Sequence, residues 1–238
     1  MAGIILNGSV IKGLILNGSP VTAMLNGVKV FPTEEPGPTP VPLPAYTLRL
    51  RFTEGYTPTT SKGGTLTQVS SSPNVWDWTY NVADWSYTWA YYSNLLEVID
   101  GNTSDVTDMT SMFYGCTSLT AVPLFDTSNV TEMSYMFRNC TSLTTVPLFN
   151  TSKVTGMSDM FNNCTSLTSV PLFDTSNVTY ISQMFYGCTN VESGALALYQ
   201  QASSQANPPS SHIRTFMNCG RDTTAGAAEL TQIPSDWK

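Results

Sequence analysis

Two sets of regularly spaced side chains have the types that could do chemistry in this 238-residue chain: Asp126, Asn150 and Asp174, and the cysteines Cys116, Cys140, Cys164 and Cys188. Within each set the spacing is 24 residues. Carboxylates on one face of a regular scaffold could cleave a glycosidic bond. Asp126 and Asp174 stand two copies apart, about 10 Å at strand spacing, slightly beyond the separation of an inverting carboxylate pair, with Asn150 between them. Each also has a structural task, since it precedes an apolar helical pattern by a turn and can accept hydrogen bonds from free amides there. The cysteines fall on equivalent rungs about 4.8 Å apart, with parallel Cβ vectors that suit a buried, reduced ladder better than the torsion a disulfide needs. Equivalent rungs do not converge on a point and the only histidine is His212, so no metal site is expected. No Ser-His-Asp, Cys-His or phosphate-loop pattern is present, and the chain reads as a non-enzyme without a cofactor.

The element that positions these groups is a block of 24 residues, beginning MFYGCTSLTAVPLFDTSNVTEMSY at Met112 and starting again at Met136, Met160 and Met184. A fixed period of this length predicts a solenoid, each copy burying its apolar face against its neighbours. Leu95 and Val98 match Leu119 and Val122, and Asn102 to Met109 match Asp126 to Met133. After Cys188 the register breaks with GALALYQQASSQ, a predicted helix stopped by Asn207-Pro-Pro. Thr215 to Gly220 echoes the Met-Phe-x-x-Cys string, and Leu230 and Ile233 imitate the next strand. The count is about six coils. Within one coil Leu143-Thr-Thr-Val-Pro-Leu148 reads as a short strand, while Val130, Met133, Met136, Phe137 and Cys140 share one face of a helix. That helix is poor in strong helix formers, so stacking has to hold it.

The flanks divide the rest. Residues 1–31 repeat Asn-Gly between apolar residues, predicting a small β-meander with turns near Asn7, Asn17 and Asn26. So small an apolar piece needs cover, either a larger partner, copies of itself, or the protein's own solenoid. Residues 32–44 carry six prolines and read as a polyproline spacer of about 40 Å. Residues 45–94 open with Tyr46-Thr-Leu-Arg-Leu-Arg-Phe52, an alternating strand, and a turn near Lys62-Gly-Gly leads on to Trp76, Trp78, Tyr80, Trp85, Tyr87, Trp89, Tyr91 and Tyr92. This cluster is either a cap on the first coil or a sugar-stacking platform, the cap being preferred. Residues 95–190 are the solenoid and 191–238 its helix-interrupted C-terminal cap. A net charge of −7 with only ten Lys and Arg disfavours nucleic acid and anionic membrane surfaces. No run is long enough to span a membrane, and the start MAGIILNGSV lacks the features of a secretion signal.

Cys-Thr-Ser-Leu-Thr-x-Val-Pro-Leu together with Met-Phe-x-x-Cys resembles the bacterial surface-antigen type of leucine-rich repeat. Asp-Thr-Ser-Asn-Val-Thr-x-Met resembles the variant found in mycoplasma surface lipoproteins. The resemblance covers about 95–220 and implies a β-rich, leucine-rich-repeat-like solenoid with short helices. It also implies surface display, adhesion and protein or glycan binding, with no catalytic residues to transfer. The order of Asn-Gly head, proline spacer and repeat tail is similar to proteins encoded by bacteriophages of gut bacteria, which implies a virion-surface location with residues 1–31 docked on a virion structural protein. The alternatives are a bacterial cell-surface adhesin and a glycan-cleaving solenoid. By analogy with leucine-rich repeats, Leu119, Val122 and Leu124 point inward, and Phe125, Phe149 and Phe173 form an edge ladder beside Asp126, Asn150 and Asp174. That ladder either stacks a ligand or fills a corner of the core. The positions that vary among copies, Tyr114, Arg138, Asn162 and Tyr186 after Met-Phe and Glu132, Gly156 and Tyr180 on the predicted helix, are where specificity can be written. Tyr114, Arg138 and Tyr186 are the ligand candidates among them.

Overall fold

A computed structural model describes residues 43–60 and 63–238, and in residues 1–42 the backbone of four short strands. The chain divides into two compact units, 1–42 and 43–238. In the first, β1 (Ile4–Leu6) pairs antiparallel with β2 (Ser9–Ile11), and β3 (Met24–Leu25) with β4 (Val28–Lys29). Leu6 lies opposite Ser9 and Leu25 opposite Val28, with an Asn-Gly pair of the sequence between the partners in each case. The expected turn at Asn17 and most of the proline spacer lie outside the described residues.

The second unit opens with a four-stranded antiparallel sheet of β5 (Thr47–Phe52), β6 (Thr65–Ser71), β7 (Asn74–Thr79) and β8 (Leu95–Asn102), in the order β6-β7-β5-β8. Alternation in β5 buries Leu48, Leu50 and Phe52 and leaves Arg49 and Arg51 half-exposed. The arginines reach across the strands, Arg49 in a two-pronged pair with Asp77 at 2.7 and 2.8 Å and Arg51 to Glu97 at 2.6 Å. Register shifts between β5 and β8 turn both Leu95 and Val98 into the core. Trp78, Trp85 and Trp89 are fully buried under this sheet, Trp78 meeting the other two edge-on at 5.2 and 5.5 Å.

The expected leucine-rich-repeat-like solenoid of about six coils, each with a strand and a short helix, is not what the chain forms. Among the described residues of the second unit the regular elements are the antiparallel sheet and two helices, α1 (Ala195–Ser203) and α2 (Thr224–Gln232). The sheet does not continue into the repeats: between β8 and α1 the backbone is turns joined by isolated bridges, such as Asp108↔Glu132, Glu132↔Gly156 and Gly156↔Tyr180. Two causes are visible. Pro123, Pro147 and Pro171 remove an amide from each expected strand, leaving little ladder to build. In the expected helix the amides do not bond four residues back. Those of Met136, Arg138 and Cys140 bond three back, to Met133, Tyr135 and Phe137, whereas those of Tyr135, Phe137 and Asn139 cross to Ser158, Met160 and Asn162 of the next copy. That division requires a positive φ at alternate turns, and Tyr135 and Asn139 have φ 63° and 61°. The apolar face is nonetheless the expected one, with Val130, Met133, Met136, Phe137 and Cys140 all fully buried.

The C-terminal end is closed by side chains rather than by a further strand. Leu230 lies in α2, not in a strand. Glu229 of α2 accepts the amides of Gly194 and Leu196 at the start of α1 (3.3 and 3.0 Å), where Gly194 itself offers no side-chain cap. Trp237 stacks over Phe216 at 6.3 Å and over His212 at 4.4 Å.

Candidate functional site

The repeated phenylalanines form two parallel ring stacks. Phe113, Phe137, Phe161, Phe185 and Phe216 succeed one another at 5.2 to 6.0 Å. Phe125, Phe149 and Phe173 form the second row at 5.8 and 6.3 Å, leaning on the first. Phe125 and Phe149 are 2% exposed and Phe173 0%, so of the two readings of this ladder the structure takes the one in which the rings fill a corner of the core. Leu124, Leu148 and Leu172, expected inside, are instead 67%, 60% and 53% exposed. In the third copy the exchange has a local cause. In Pro171-Leu172-Phe173 the Phe173 amide donates to the Pro171 carbonyl at 3.0 Å, a three-residue turn that throws the middle side chain outward and carries the larger ring in.

Beside the leucines, Asp126, Asn150 and Asp174 are exposed and do the same work in each copy. Each side-chain oxygen accepts the amide two residues on, from Ser128, Ser152 and Ser176 at 3.0, 3.1 and 2.9 Å. The Ser128 hydroxyl and amide hold the Asp126 carboxyl below its ordinary range, and the Ser176 amide and hydroxyl do the same for Asp174. Thr103, Thr127 and Thr151 tie neighbouring copies together by donating to the carbonyls of Asp126, Asn150 and Asp174 at 2.9, 2.8 and 2.7 Å. Leu124, Phe125, Asp126, Thr127, Leu148 and Asn150 line a shallow groove of about 330 Å³.

The cysteines are unpaired and buried. Cys116, Cys140, Cys164 and Cys188 point their sulfurs at the carbonyls of Trp89, Phe113, Phe137 and Phe161 at 3.0 to 3.1 Å. Burial pushes the Cys116 thiol up to about 12 and the other three well above the ordinary thiol range, so none is a ready nucleophile. Among the described residues no group of three or more His, Cys, Asp or Glu side chains is placed to hold a metal ion.

A different cluster forms where the Met-Phe turns of successive copies come side by side. Tyr114 and Arg138, two of the expected candidates, meet there with the guanidinium 5.8 Å from the ring centre. Tyr135 flanks the same guanidinium at 5.6 Å, and Tyr91 packs against Tyr114 at 4.9 Å. Arg138 is fixed from behind, donating to Asp159 at 2.9 Å, and Asn162 donates to the same carboxylate oxygen at 2.7 Å. Burial raises the Asp159 pKa, and Arg138 and Asn162 oppose the shift. Asn163 donates to Asn139 at 3.2 Å on the adjoining row. Tyr186 stands two copies beyond Arg138 and is not part of this cluster. Tyr135, Asp159 and Asn139 are absent from the sequence-derived candidates, and Tyr91 figures there only within the aromatic segment read as a cap or a sugar-stacking platform, apart from Tyr114 and Arg138. Aligning that segment with the repeat would have placed Tyr91 beside Tyr114, since it takes the place of Gly115 and Asn139.

Residues 86–199 match a family described as "Mycoplasma protein of unknown function, DUF285". That stretch therefore resembles a mycoplasma family. No curated protein and no solved structure matches the chain. The matched stretch contains every residue of the tyrosine and arginine cluster, and all of Asp126, Asn150 and Asp174. Chemically, the cluster can stack flat apolar faces and exchange hydrogen bonds through planar polar groups.

Proposed function

We propose that this protein is a non-enzymatic display and adhesion protein carried on a bacteriophage particle. Its second unit presents a binding surface to glycans or proteins of a bacterial or host surface, and residues 1–31 attach it to a virion structural protein or to further copies of itself. The observation that carries this reading is the aromatic and arginine cluster around Arg138, outward-facing and held on a closely hydrogen-bonded scaffold. The carboxylates and thiols, the groups with chemistry to offer, are otherwise employed. The carboxylates hold turns and are shifted opposite to a general acid, and the thiols are buried. The paired Asn-Gly hairpins of a separate compact unit support an attachment role, and the proline-rich sequence after them supports a spacer. Deleting residues 1–31 should remove the protein from purified particles, and retention of the truncated chain would reject this assignment.

The match over residues 86–199 favours a second reading, a bacterial cell-surface adhesin. Cell fractionation with mass spectrometry separates the two: recovery on bare cells rather than particles selects the adhesin. A glycan-cleaving role is the least supported, and an Asp126→Asn, Asp174→Asn double variant with undiminished polysaccharide cleavage would dispose of that pair as its catalyst.

A further inference from the structure

We infer that the cluster of Tyr91, Tyr114, Tyr135, Arg138, Asp159 and Asn139 is a carbohydrate site that takes an uncharged hexose unit. The inference rests on the reading of this chain as a non-enzymatic binding protein. The rings supply the first requirement. Tyr91 is 72% exposed, yet its position is fixed on both sides, by Tyr114 at 4.9 Å and by Gly115, where a Cβ would come within 3.0 Å of the Tyr91 ring. A rigid, exposed phenol beside a second ring offers a platform for the C–H face of a pyranose at little ordering cost.

The polar groups supply the second. A sugar hydroxyl is both donor and acceptor, and the side chains that serve it best are planar groups with several hydrogen-bonding atoms held in fixed positions. Arg138, Asp159 and Asn162 are locked to one another, and Asn163 is locked to Asn139. Gly187 makes room for this row, since a Cβ there would fall 2.5 Å from the Asn163 oxygen. The buried Asn162 oxygen and the Arg138 Nε atom have no hydrogen-bond partner in the protein but lie below the surface, so the polar groups that reach a ligand are the half-exposed Arg138 guanidinium and the Asn139 side chain.

Charge decides the class of sugar. Arg138 is already paired with Asp159, and the chain carries a net charge of −7, so a uronic or sialic acid gains no unpaired cation and meets an unfavourable field. A cationic ligand is disfavoured too, because the place between the rings that a quaternary ammonium would occupy is filled by the guanidinium.

The test is binding of the full-length chain to an array of neutral hexose oligosaccharides, sialylated oligosaccharides and uronic-acid oligosaccharides. The expected result is selective retention on neutral hexose spots, weakened about tenfold or more in each of Tyr91→Ala and Arg138→Ala. Leu148→Ser, outside the cluster, should bind as the parent does. Tyr91→Ala removes an exposed ring and should keep the parent's circular dichroism. If it does not, Tyr91→Ser and Tyr91→Phe are compared, and the proposal requires the phenylalanine variant to retain binding that the serine variant loses. A blank array, retention on acidic spots alone, or full binding by Tyr91→Ala overturns the assignment. Particle and cell-surface recovery of the same variants reads the display role separately. Unchanged recovery with a blank array rejects the sugar site and leaves display standing, whereas neutral-sugar binding without recovery supports the site and rejects display.

Discussion

In the middle copy Asn150 occupies the position that Asp126 and Asp174 hold on either side, and all three accept the amide two residues ahead. The turn therefore needs an oxygen there, not a charge. Asp126→Asn should change stability by no more than about 0.5 kcal/mol in urea unfolding at neutral pH, whereas Asp126→Ala, which removes the acceptor, should cost about 1 kcal/mol. The pH response separates these carboxylates from Asp159. Asp126 and Asp174 have lowered pKa values, so their stabilising contribution is present above the ordinary value of 3.8 and fades as pH falls below it. Asp159 is raised above 3.8, so the folded state holds its proton more tightly and its ionisation costs stability as pH rises through that region. Carboxyl carbon NMR titration should place Asp126 and Asp174 below 3.8 and Asp159 above it; raised values for Asp126 and Asp174 would refute their hydrogen bonds to Ser128 and Ser176, and a lowered value for Asp159 would refute burial as its dominant influence. The Asp-to-Asn alternation and the acceptor role are visible in the sequence, where they point to the cap of a helix rather than to this turn. The salt bridge of Arg138 with Asp159 is not visible there, because the partners belong to different copies and Asp159 stands where other copies have serine, tyrosine or glutamine.

At the scale of elements, the apolar letters of the repeat showed which residues are inside but not which path the backbone takes between them. A spacing of three and four fits an α-helix, and it fits equally a run of tight turns that buries Met133, Met136, Phe137 and Cys140 on one side. The recurring Gly115, Asn139, Asn163, Gly187 and Asn218 were the readable clue, since glycine and asparagine tolerate a positive φ best, and all five have it. Ser111, Tyr135 and Gln183 share that conformation with no such signal in their types, and Asp159 shares it with a weaker one. The neighbours Leu148 and Phe149 test the corrected path most directly. Phe149→Ala should cost about 3–5 kcal/mol and Leu148→Ala no more than about 0.5 kcal/mol in chemical denaturation, and equal costs would restore the inward leucine.

For the whole molecule, the division at residue 42 predicts that residues 43–238 fold without the first unit. Expressed alone, they should show the near-ultraviolet circular dichroism and melting temperature of the same unit in the full chain, and a loss of more than a few degrees would show that the first unit contributes to that fold. The period of 24, the burial of the repeated Met, Phe and Cys side chains, the antiparallel pairs across Asn7-Gly8 and Asn26-Gly27, and the helix before Asn207-Pro-Pro were determined by the sequence alone. Those features depend on local turn chemistry and on which side chains leave water. The antiparallel sheet in place of a solenoid of strands and helices, the exchange of leucine for phenylalanine in the core, and the meeting of Tyr91, Tyr114 and Arg138 were decided only in three dimensions. In each case the outcome turns on where a backbone amide finds its acceptor. In the repeats alternate amides find it one copy further along the chain, a choice that no window of sequence contains.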